Sequence, residues 1–532
     1  MVEPCHRPTR RTVLLGAAAA TVLTAMPLGT GCAARPLAGP RGQPLRDPFT
    51  VGVASGDPGV DGVVLWTRLA PRPLAEDGLG GMPARPVDVE WELATDEGFR
   101  QVERRGRSTA VPEAAHSVHV ELTDLRPGRE YFYRFRADGH LSPAGRTRTA
   151  PAPTVLGSAL TMCFTSCSQY GHGWFTAYRR LAAEDPDVVL HLGDYQYEHA
   201  AGRHSAPGGN IREHVGPETT TLASYRQRYA QYKTDPDLQA AHAVAPWLTV
   251  FDDHEVDNNW ADEVPEKPEE NPQPQFSARR AAALQAYYEN MPLRASAMPR
   301  GADMQLYRRV PWGALTTFHM LDTRQYRDDQ PCGDTFISDC PQRTDPVRSI
   351  TGAEQERWLL DGFQRSRARW DVLGQQVFFS QLDVMPGPAR GFNSDAWDGY
   401  TGSRDRIVAG LRNSPVRNAV VLTGNVHSHW AAEVRERFDD PSAAAVGTEL
   451  VSSSITSGGD GSETRPEAVI ALAENPHLRF FNNRRGYVRT RFTPGELRVD
   501  FQVVPFVSRP GAAVETRASF VVPDREPTLH PA

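Results

Sequence analysis

Two patterns of apolar residues divide the chain near residue 150. Before that point, apolar and polar positions alternate over short runs that are separated by turn residues, which predicts half-buried strands. These runs lie at residues 63–68, 87–93, 117–122 and 131–135. Their spacing predicts that residues 47–150 form a small all-β sandwich domain.

One turn refines that prediction. Residues 125–133 fit the corner turn that a tyrosine closes in sandwiches of the fibronectin and immunoglobulin type. Residues 146–154, which are rich in Thr, Pro and Ala, fit a linker to the next domain.

Beyond residue 155, continuous apolar runs alternate with helical patterns. Runs such as residues 188–192 and 419–422 lack polar interruptions, as strands buried on both faces do. Further strands are predicted at residues 315–321 and 370–374, and helices at 174–181, 225–233, 278–289 and 352–366. The alternation predicts a layered α/β domain over residues 155–522, with mixed sheets and flanking helices, followed by a tail at 523–532.

The first 46 residues are predicted to be an export signal and a linker. Arg10 and Arg11 precede a mainly apolar stretch at residues 13–29, which is the pattern of a substrate of the twin-arginine export machinery. Cys32 is a candidate site for a lipid anchor, although Gly29 stands where Leu is usual. We expect a soluble secreted protein, with a lipoprotein as the rival hypothesis.

Composition adds limits to this picture. The chain has 532 residues, of which 39% are hydrophobic and 23% charged, so it is long enough for two folded units. The net charge of −7 and the lack of a basic stripe among aromatic residues give no indication of nucleic-acid binding. A monomer is expected.

The cysteines fall into two groups. Cys332 and Cys340 enclose a short loop and are predicted to form a disulfide in an oxidising compartment. Cys163 lies inside a predicted strand and is interpreted as a small buried apolar residue. Cys167 comes just after that strand, where a thiolate could bind a metal.

Four polar clusters each follow a predicted strand. They read SCSQY, GDYQYEH, DDHEVDNNW and GNVHSHW, and they span about 260 residues. Loops that leave the carboxyl ends of parallel strands open into one crevice, so distant residues can share an ion. The clusters therefore predict a multinuclear metal centre.

The side chains in these clusters suggest two kinds of ion. An Asp194 carboxylate can bridge two cations, and the Tyr197 phenolate and Cys167 thiolate favour ferric iron. The carboxylates around Asp253 suit calcium, magnesium or manganese. Asn258 and Asn259 could supply carbonyl oxygens or simply close turns.

The last cluster places three candidate ligands at alternate positions of an extended segment. His427 is predicted to be a metal ligand, and Asn425 an additional one. His429 is interpreted either as lying behind the metal ligands or against phosphate, or as a surface residue.

The order of the four clusters resembles the D-type (PhoD-like) alkaline phosphatases of the calcineurin-like metallophosphoesterase superfamily. The resemblance extends over residues 47–522 and includes the segments AYYENMPLR and LDTRQYR. It implies a ferric ion held by Cys167, Asp194, Tyr197 and His427. It also implies a calcium ion that Asp194 shares with Asp253, Asn259 and Asn425.

The resemblance further implies the chemistry. His254 would face the phosphate, and Asp253 would be the second catalytic residue, while a metal-bound hydroxide or oxide attacks phosphorus in line. Phosphate monoesters and diesters would be substrates, with a phospholipase D-type phosphodiesterase as an alternative. A non-enzymatic surface protein that binds metal or phosphate is the alternative from another class.

One position departs from the family pattern. The family commonly has Asp where this chain has Asn425. The amide removes one negative charge from the predicted calcium site, so the identity and affinity of that second ion are less constrained than those of the iron.

Overall fold

A computed structural model describes residues 45–532. The predicted export signal, with Arg10, Arg11 and Cys32, therefore lies outside the described residues. Among the residues that are described, no helix combines the length and the apolar character needed to cross a bilayer.

Eight strands come first and form two facing layers. They are β1 (Val53–Gly56), β2 (Val63–Arg68), β3 (Val87–Ala94), β4 (Val102–Ala110), β5 (Ser117–Leu122), β6 (Glu130–Ala137), β7 (His140–Leu141) and β8 (Gly145–Arg148). Strands β1, β2 and β5 are antiparallel neighbours in one layer, and β4, β3, β6 and β8 are neighbours in the other. Apolar side chains from both layers share one core, which confirms the predicted sandwich.

The alternating pattern explains how these strands are oriented. In β3, Val87 and Val89 are buried while Asp88 and Glu90 are exposed, because successive side chains of a strand point to opposite faces. At the predicted corner, the Tyr131 hydroxyl accepts a hydrogen bond from the backbone N–H of Arg126 at 3.1 Å. The tyrosine corner is therefore present.

The remaining strands and helices build the larger α/β part. Its strands are β9 (Leu160–Thr165), β10 (Val188–Leu192), β11 (Trp247–Val250), β12 (Arg308–Trp312), β13 (Thr316–Met320), β14 (Phe336–Ile337), β15 (Trp370–Gly374), β16 (Phe392–Asn393), β17 (Ala419–Thr423), β18 (His429–Arg435), β19 (Ala445–Val451), β20 (Gly461–Ser462), β21 (Leu478–Phe492), β22 (Glu496–Val504), β23 (Glu515–Pro523) and β24 (His530–Pro531). Its helices are α1 (Thr176–Ala182), α2 (Leu222–Lys233), α3 (Pro236–Val244), α4 (Gln275–Asn290), α5 (Gly352–Gln364), α6 (Thr401–Arg412) and α7 (Pro466–Glu474).

Two mixed sheets share the long strand β21. In the first sheet β11, β10 and β9 are parallel, and β21, β22 and β23 continue it antiparallel. In the second sheet β13, β15, β17 and β19 are parallel, and β12 and β18 flank them antiparallel. The amino-terminal half of β21 pairs with β18 and its second half with β9.

Helices cover both sheets. Apolar residues of α1 to α4 pack in one core with the first sheet, and those of α5 and α6 pack in another with the second. This layered α/β arrangement confirms the predicted fold class.

The sandwich and the first sheet are continuous. Gly56 at the end of β1 pairs in parallel with Trp247 of β11, and the Asp57 N–H donates to the Trp247 carbonyl at 3.1 Å. The segment predicted to be a linker leads from β8 to β9. Strand β1 is thus an outer neighbour of the strand that precedes Asp253.

The cysteines are placed as the sequence predicted. Cys332 and Cys340 form a disulfide. Cys163 is fully buried within β9, whereas Cys167 lies two residues beyond that strand.

Candidate metal centre

All four predicted clusters begin at the carboxyl ends of strands. Cys167, Asp194 and Asn425 each lie two residues beyond a strand, namely β9, β10 and β17, and Asp253 lies three residues beyond β11. Because these strands are parallel members of the two central sheets, their loops open on the same side. The site is therefore assembled at one edge of both sheets.

Five of the seven predicted metal ligands have left-handed backbone. Their φ angles are 61° at Cys167, 53° at Asp194, 48° at Asn259, 63° at Asn425 and 55° at His427. This conformation costs free energy for a residue with a side chain and persists only where the surrounding structure enforces it, typically at functional sites. The loops thus hold these side chains in directions that relaxed backbone would not give.

Hydrogen bonds between the loops enforce that geometry. The Cys167 N–H donates to the Gly193 carbonyl at 3.1 Å. Glu255 is fully buried and accepts from the backbone N–H groups of Asp194, Tyr195 and Asp252 at 3.1, 2.6 and 2.8 Å. One carboxylate thereby fastens the second loop to the third.

Gly193 is required by this close approach. Its φ is 101°, and a Cβ atom there would lie 2.4 Å from the Cβ of Asp252. Only glycine allows the two loops to approach so closely.

The first group of ligands makes direct contacts. Asp194 Oδ2 lies 3.4 Å from Cys167 Sγ and 3.0 Å from Tyr197 Oη, and Tyr197 Oη lies 3.2 Å from His427 Nε2. Cys167, Asp194 and Tyr197 are buried, and His427 is half-buried. We call these four residues the thiolate–phenolate cluster.

The electrostatics of this cluster favour a bound cation. Burial raises the pKa of Asp194 well above its usual value, and the nearby Asp253 carboxylate raises it further. Burial and then Asp194 likewise raise the pKa values of Cys167 and Tyr197. Asp194 Oδ1 is buried without a hydrogen-bond partner. A cation would satisfy that oxygen and stabilise the three anions, so the residues fit a metal ion.

The second group of ligands is arranged differently. Asp194, Asp253 and His254 each offer a ligand atom within 4.8 Å of the others. Asp253 Oδ2 accepts from the Asn259 N–H at 2.9 Å. The Asn425 side-chain amide donates to Asp252 Oδ2 at 2.8 Å, which leaves its carbonyl oxygen free for a cation. We call Asp253, Asn259 and Asn425 the oxygen cluster.

The two asparagines of the DNNW segment have separate roles. The Asn259 amide donates to the Asp334 carboxylate at 2.9 Å, which likewise leaves its carbonyl oxygen free. The Asn258 side chain donates to Glu266 Oε1 at 2.8 Å instead. Of the two, Asn259 therefore remains the candidate ligand.

A buried arginine, which was not among the predicted site residues, supports the oxygen cluster. Arg324 is fully buried and donates to Asp252 Oδ1 at 2.6 Å and to Asp395 at 2.8 and 2.9 Å, with Asp253 Oδ1 at 3.3 Å. Burial lowers its pKa, but Asp252, Asp395 and Asp253 together raise it well above the usual value. Arg324 is therefore a permanent internal cation next to the predicted calcium site.

His254 lies between both clusters. Its Nδ1 is 2.8 Å from Glu198 Oε2, and its Nε2 is 3.8 Å from Asp253 Oδ2. Its ring packs against that of Tyr197, with centroids 4.1 Å apart and an interplanar angle of 32°. Burial lowers the pKa of His254, but Glu198 followed by Asp253 and Asp194 raises it well above its usual value. Glu198, which sequence reasoning missed, fixes the ring so that Nε2 faces the clusters.

A fifth loop, after β19, also reaches the site. Ser457 Oγ contacts Tyr197 Oη at 2.7 Å and donates to the Cys167 carbonyl at 2.9 Å. Arg485 donates to the His427 carbonyl at 2.8 Å. The one carboxylate of this loop, Asp460, accepts from the backbone N–H groups of Val507 and Ser508 instead. Neither Ser457 nor Arg485, which lies in β21, is of a metal-ligand type, so no pattern in the sequence pointed to them.

His429 is not on the surface, so that alternative was wrong. The ring is fully buried, and its Nδ1 accepts from the Ser453 N–H at 3.0 Å. Ser453 Oγ in turn donates to the His427 carbonyl at 3.2 Å. His429 thus lies behind His427 and helps to hold its loop.

Similarity to known proteins agrees with this geometry. Residues 162–501 match the PhoD-like phosphatase family, and residues 32–151 match the N-terminal domain of PhoD-like phosphatases. The chain is 49% identical over 474 residues to alkaline phosphatase D of Bacillus subtilis (strain 168), covering 89% of this chain and 80% of that protein.

Solved structures give the same result. The structure of PhoD has 47% sequence identity and a TM-score of 0.89, with 93% of each chain covered. A purple acid phosphatase from yellow lupin (Lupinus luteus) seeds has 12% identity and a TM-score of 0.51, covering 88% of this chain and 73% of that one. The second likeness shows a shared fold.

Fold and site together define a metal-dependent phosphoesterase. The chain belongs to the PhoD-like phosphatase family, which confirms the resemblance stated from the four clusters. It is a hydrolase of phosphoric ester bonds, and the alternative of a non-enzymatic surface protein is wrong.

Proposed function

We propose that this phosphoesterase uses ferric iron in the thiolate–phenolate cluster and calcium in the oxygen cluster, with Asp194 shared between them. The observation that carries the proposal is the direct contact of a thiol, a phenol, a carboxylate and an imidazole, with Asp194 Oδ1 left without a partner. Thiolate and phenolate favour a trivalent ion such as Fe³⁺. Carboxylate and amide oxygens favour a hard divalent ion such as Ca²⁺.

When bound, the cations would polarise the phosphate oxygens and lower the pKa of the attacking water. Asp194, Asp253 and the amide oxygens of Asn259 and Asn425 would hold the ions in place. His254 would donate a hydrogen bond from Nε2 to the phosphate and then give its proton to the departing alkoxide. Glu198, 2.8 Å from Nδ1, would stabilise the protonated ring during binding.

Arg324 has a different role from His254. Its hydrogen bonds to carboxylates of the protein use four of its five N–H donors, and the side chain is fully buried, so it is not placed to bind a substrate. We interpret it as a positioning residue that keeps Asp252 and Asp253 in place.

The proposal is tested by metal analysis of the purified protein together with its visible spectrum. We expect stoichiometric iron, a visible absorption band from phenolate-to-iron charge transfer, and hydrolysis of both p-nitrophenyl phosphate and bis-p-nitrophenyl phosphate. A colourless preparation that is fully active without iron would contradict the iron assignment. Hydrolysis of p-nitrophenyl phosphate alone would identify a monoesterase, and hydrolysis of bis-p-nitrophenyl phosphate alone would identify a diesterase.

We also propose that the protein is exported by the twin-arginine machinery, because Arg10 and Arg11 precede the apolar stretch at residues 13–29. Replacement of both arginines by lysine should retain the protein in the cytoplasm with its leader intact. Cys32→Ser distinguishes the lipoprotein from the secreted form. Retention of radiolabelled fatty acid by the wild type but not by this variant would identify a lipid anchor.

A further inference from the structure

A cavity of about 320 Å³ opens directly beside the metal centre. Its inner wall is the loop that carries Asn425 and His427. Asn425, Val426 and Ser428 all line the cavity, so the chain that positions two predicted metal ligands also forms the wall of this space.

The rest of the lining is mainly apolar. Phe378, Trp430 and Phe481 contribute aromatic rings, and Ala468 and Ala471 of helix α7 contribute small side chains. Phe336 of strand β14 stands at the mouth with 65% of its surface exposed. A large aromatic side chain exposed to that degree next to a concave apolar wall is typical of a ligand site.

Three charged residues, Asp398, Arg465 and Glu467, also line the cavity, but the polar groups of the wall next to Asn425 are bonded within the protein. Trp430 Nε1 donates to Ser428 Oγ at 2.9 Å, and Ser428 Oγ donates to the Val426 carbonyl at 3.1 Å. A hydroxyl-rich substituent would therefore find few free partners along this wall, which is the one next to the metal centre. An apolar substituent would lose nothing by entering.

We propose that this cavity binds an apolar organic substituent of the phosphate ester, an aryl group or a short alkyl chain. This inference rests on the proposed binding of the phosphate at the metal centre, from which Asn425 leads directly into the cavity. The size agrees, because a dry cavity of about 150 Å³ is enough for benzene. The substrate class is thus phosphate esters with one apolar substituent.

The test uses competitive inhibitors of the metal-loaded enzyme that carry one substituent on phosphorus. Phenylphosphonate and methylphosphonate present the same charged head group, and inorganic phosphate has no carbon substituent. We expect phenylphosphonate to bind roughly tenfold more tightly than methylphosphonate, because its ring is removed from water in the cavity. Equal inhibition constants in the wild type would overturn the proposal.

Variants of helix α7 locate the effect. Ala468→Phe fills the cavity and should bring the ratio of the two inhibition constants close to one. Val469→Phe is the matched control, because Val469 is 60% exposed on the same helix and does not line the cavity. It should leave the ratio unchanged, and a ratio unaltered in Ala468→Phe would overturn the proposal.

A further variant tests the proposal even if Ala468→Phe does not fold. Phe336→Ala removes an exposed side chain at the mouth and should lower the ratio about two- to fivefold, because part of the apolar contact area is lost. The inhibition constant of inorganic phosphate should stay constant in all three variants. If inorganic phosphate did not inhibit the wild type, the proposed binding of phosphate at the metal centre would be wrong. If phosphate inhibited normally but the ratio stayed the same in Ala468→Phe and Phe336→Ala, only the proposed apolar subsite would be wrong.

Discussion

The two halves of the metal centre solve the same electrostatic problem in different ways. In the thiolate–phenolate cluster, Asp194 contacts Cys167 at 3.4 Å and Tyr197 at 3.0 Å. At the oxygen cluster, Asp253 and its neighbour Asp252 face the guanidinium of Arg324. Among residues 45–532, no cationic side chain lies within hydrogen-bond distance of the three acidic groups of the first half, whereas Arg324 lies directly beside the second.

The difference indicates how each half depends on its metal. The thiolate–phenolate cluster needs an external cation to hold its ligands as anions. The oxygen cluster already has part of its charge neutralised, so its ion adds less to folding stability. Four experiments can break or sharpen this comparison.

The largest effect is expected from Arg324→Ala. The variant removes the guanidinium that pairs with the buried Asp252 and Asp253, whereas Asp395 keeps its second partner, Arg327. Breaking a buried ion pair costs about 3–5 kcal/mol of unfolding free energy. Urea unfolding with and without calcium measures this, and calcium should recover part of the loss. Arg365→Ala is the control, because its exposed pair with Asp361 contributes less than about 1 kcal/mol. An Arg324→Ala protein as stable as the wild type would show that the oxygen cluster needs no internal cation.

Removal of calcium should have the next largest effect. A ligand present at 100 times its dissociation constant stabilises a protein by about 2.7 kcal/mol, so a calcium-selective chelator should lower stability by no more than about that amount. Activity should stop while the visible band of the iron persists. Full activity in a sample shown to lack calcium would mean that another ion serves the oxygen cluster.

Tyr197→Phe tests the other half. The variant should lose the visible band, and activity should fall by at least the roughly 10–100-fold that loss of an outer partner of a metal ligand typically causes. Tyr195→Phe is a matched control, because the Tyr195 hydroxyl is buried but contacts His242 at 2.9 Å, away from the cluster. Retention of the band in Tyr197→Phe would exclude the phenolate as a ligand.

Asn425→Asp should give the smallest change in stability. Without calcium, the new carboxylate faces Asp252 in place of an amide donor, and loss of that hydrogen bond should cost about 1–3 kcal/mol, at the lower end because Asn425 is only half-buried. With calcium, the added charge should lower the half-saturating concentration for activity while the catalytic rate stays equal or falls. Asn258→Asp, whose side chain points to Glu266, should leave the calcium titration unchanged. Identical titrations in wild type and Asn425→Asp would place Asn425 away from the ion.

The sequence predicted the parts of this site that carry their own local signal. Continuous apolar runs revealed β10 and β17, and the polar residues just beyond them revealed Asp194, Asn425 and His427. Alternating runs revealed β2 and β5 with their bounds unchanged. These inferences needed only a few adjacent residues.

The supporting residues needed contacts that no local pattern contains. Arg324 lies 72 positions from Asp252, and Ser457 lies 260 positions from Tyr197. An arginine or a serine in a loop is ordinary until the fold places it beside a carboxylate or a phenol. The same limit applies to β1, because alternation shows which side of a strand is buried but does not show that β11 is its neighbour.

The pairing of β1 with β11 limits how this protein can be rearranged. If residues 45–150 were removed, β11 would become the outer strand of its sheet, with Trp247, Leu248 and Val250 along it, and exposed apolar strand edges promote aggregation. The sandwich is thus not an interchangeable module. A shortened or chimeric version of the protein must therefore retain β1, which covers this edge, if it is to stay in solution.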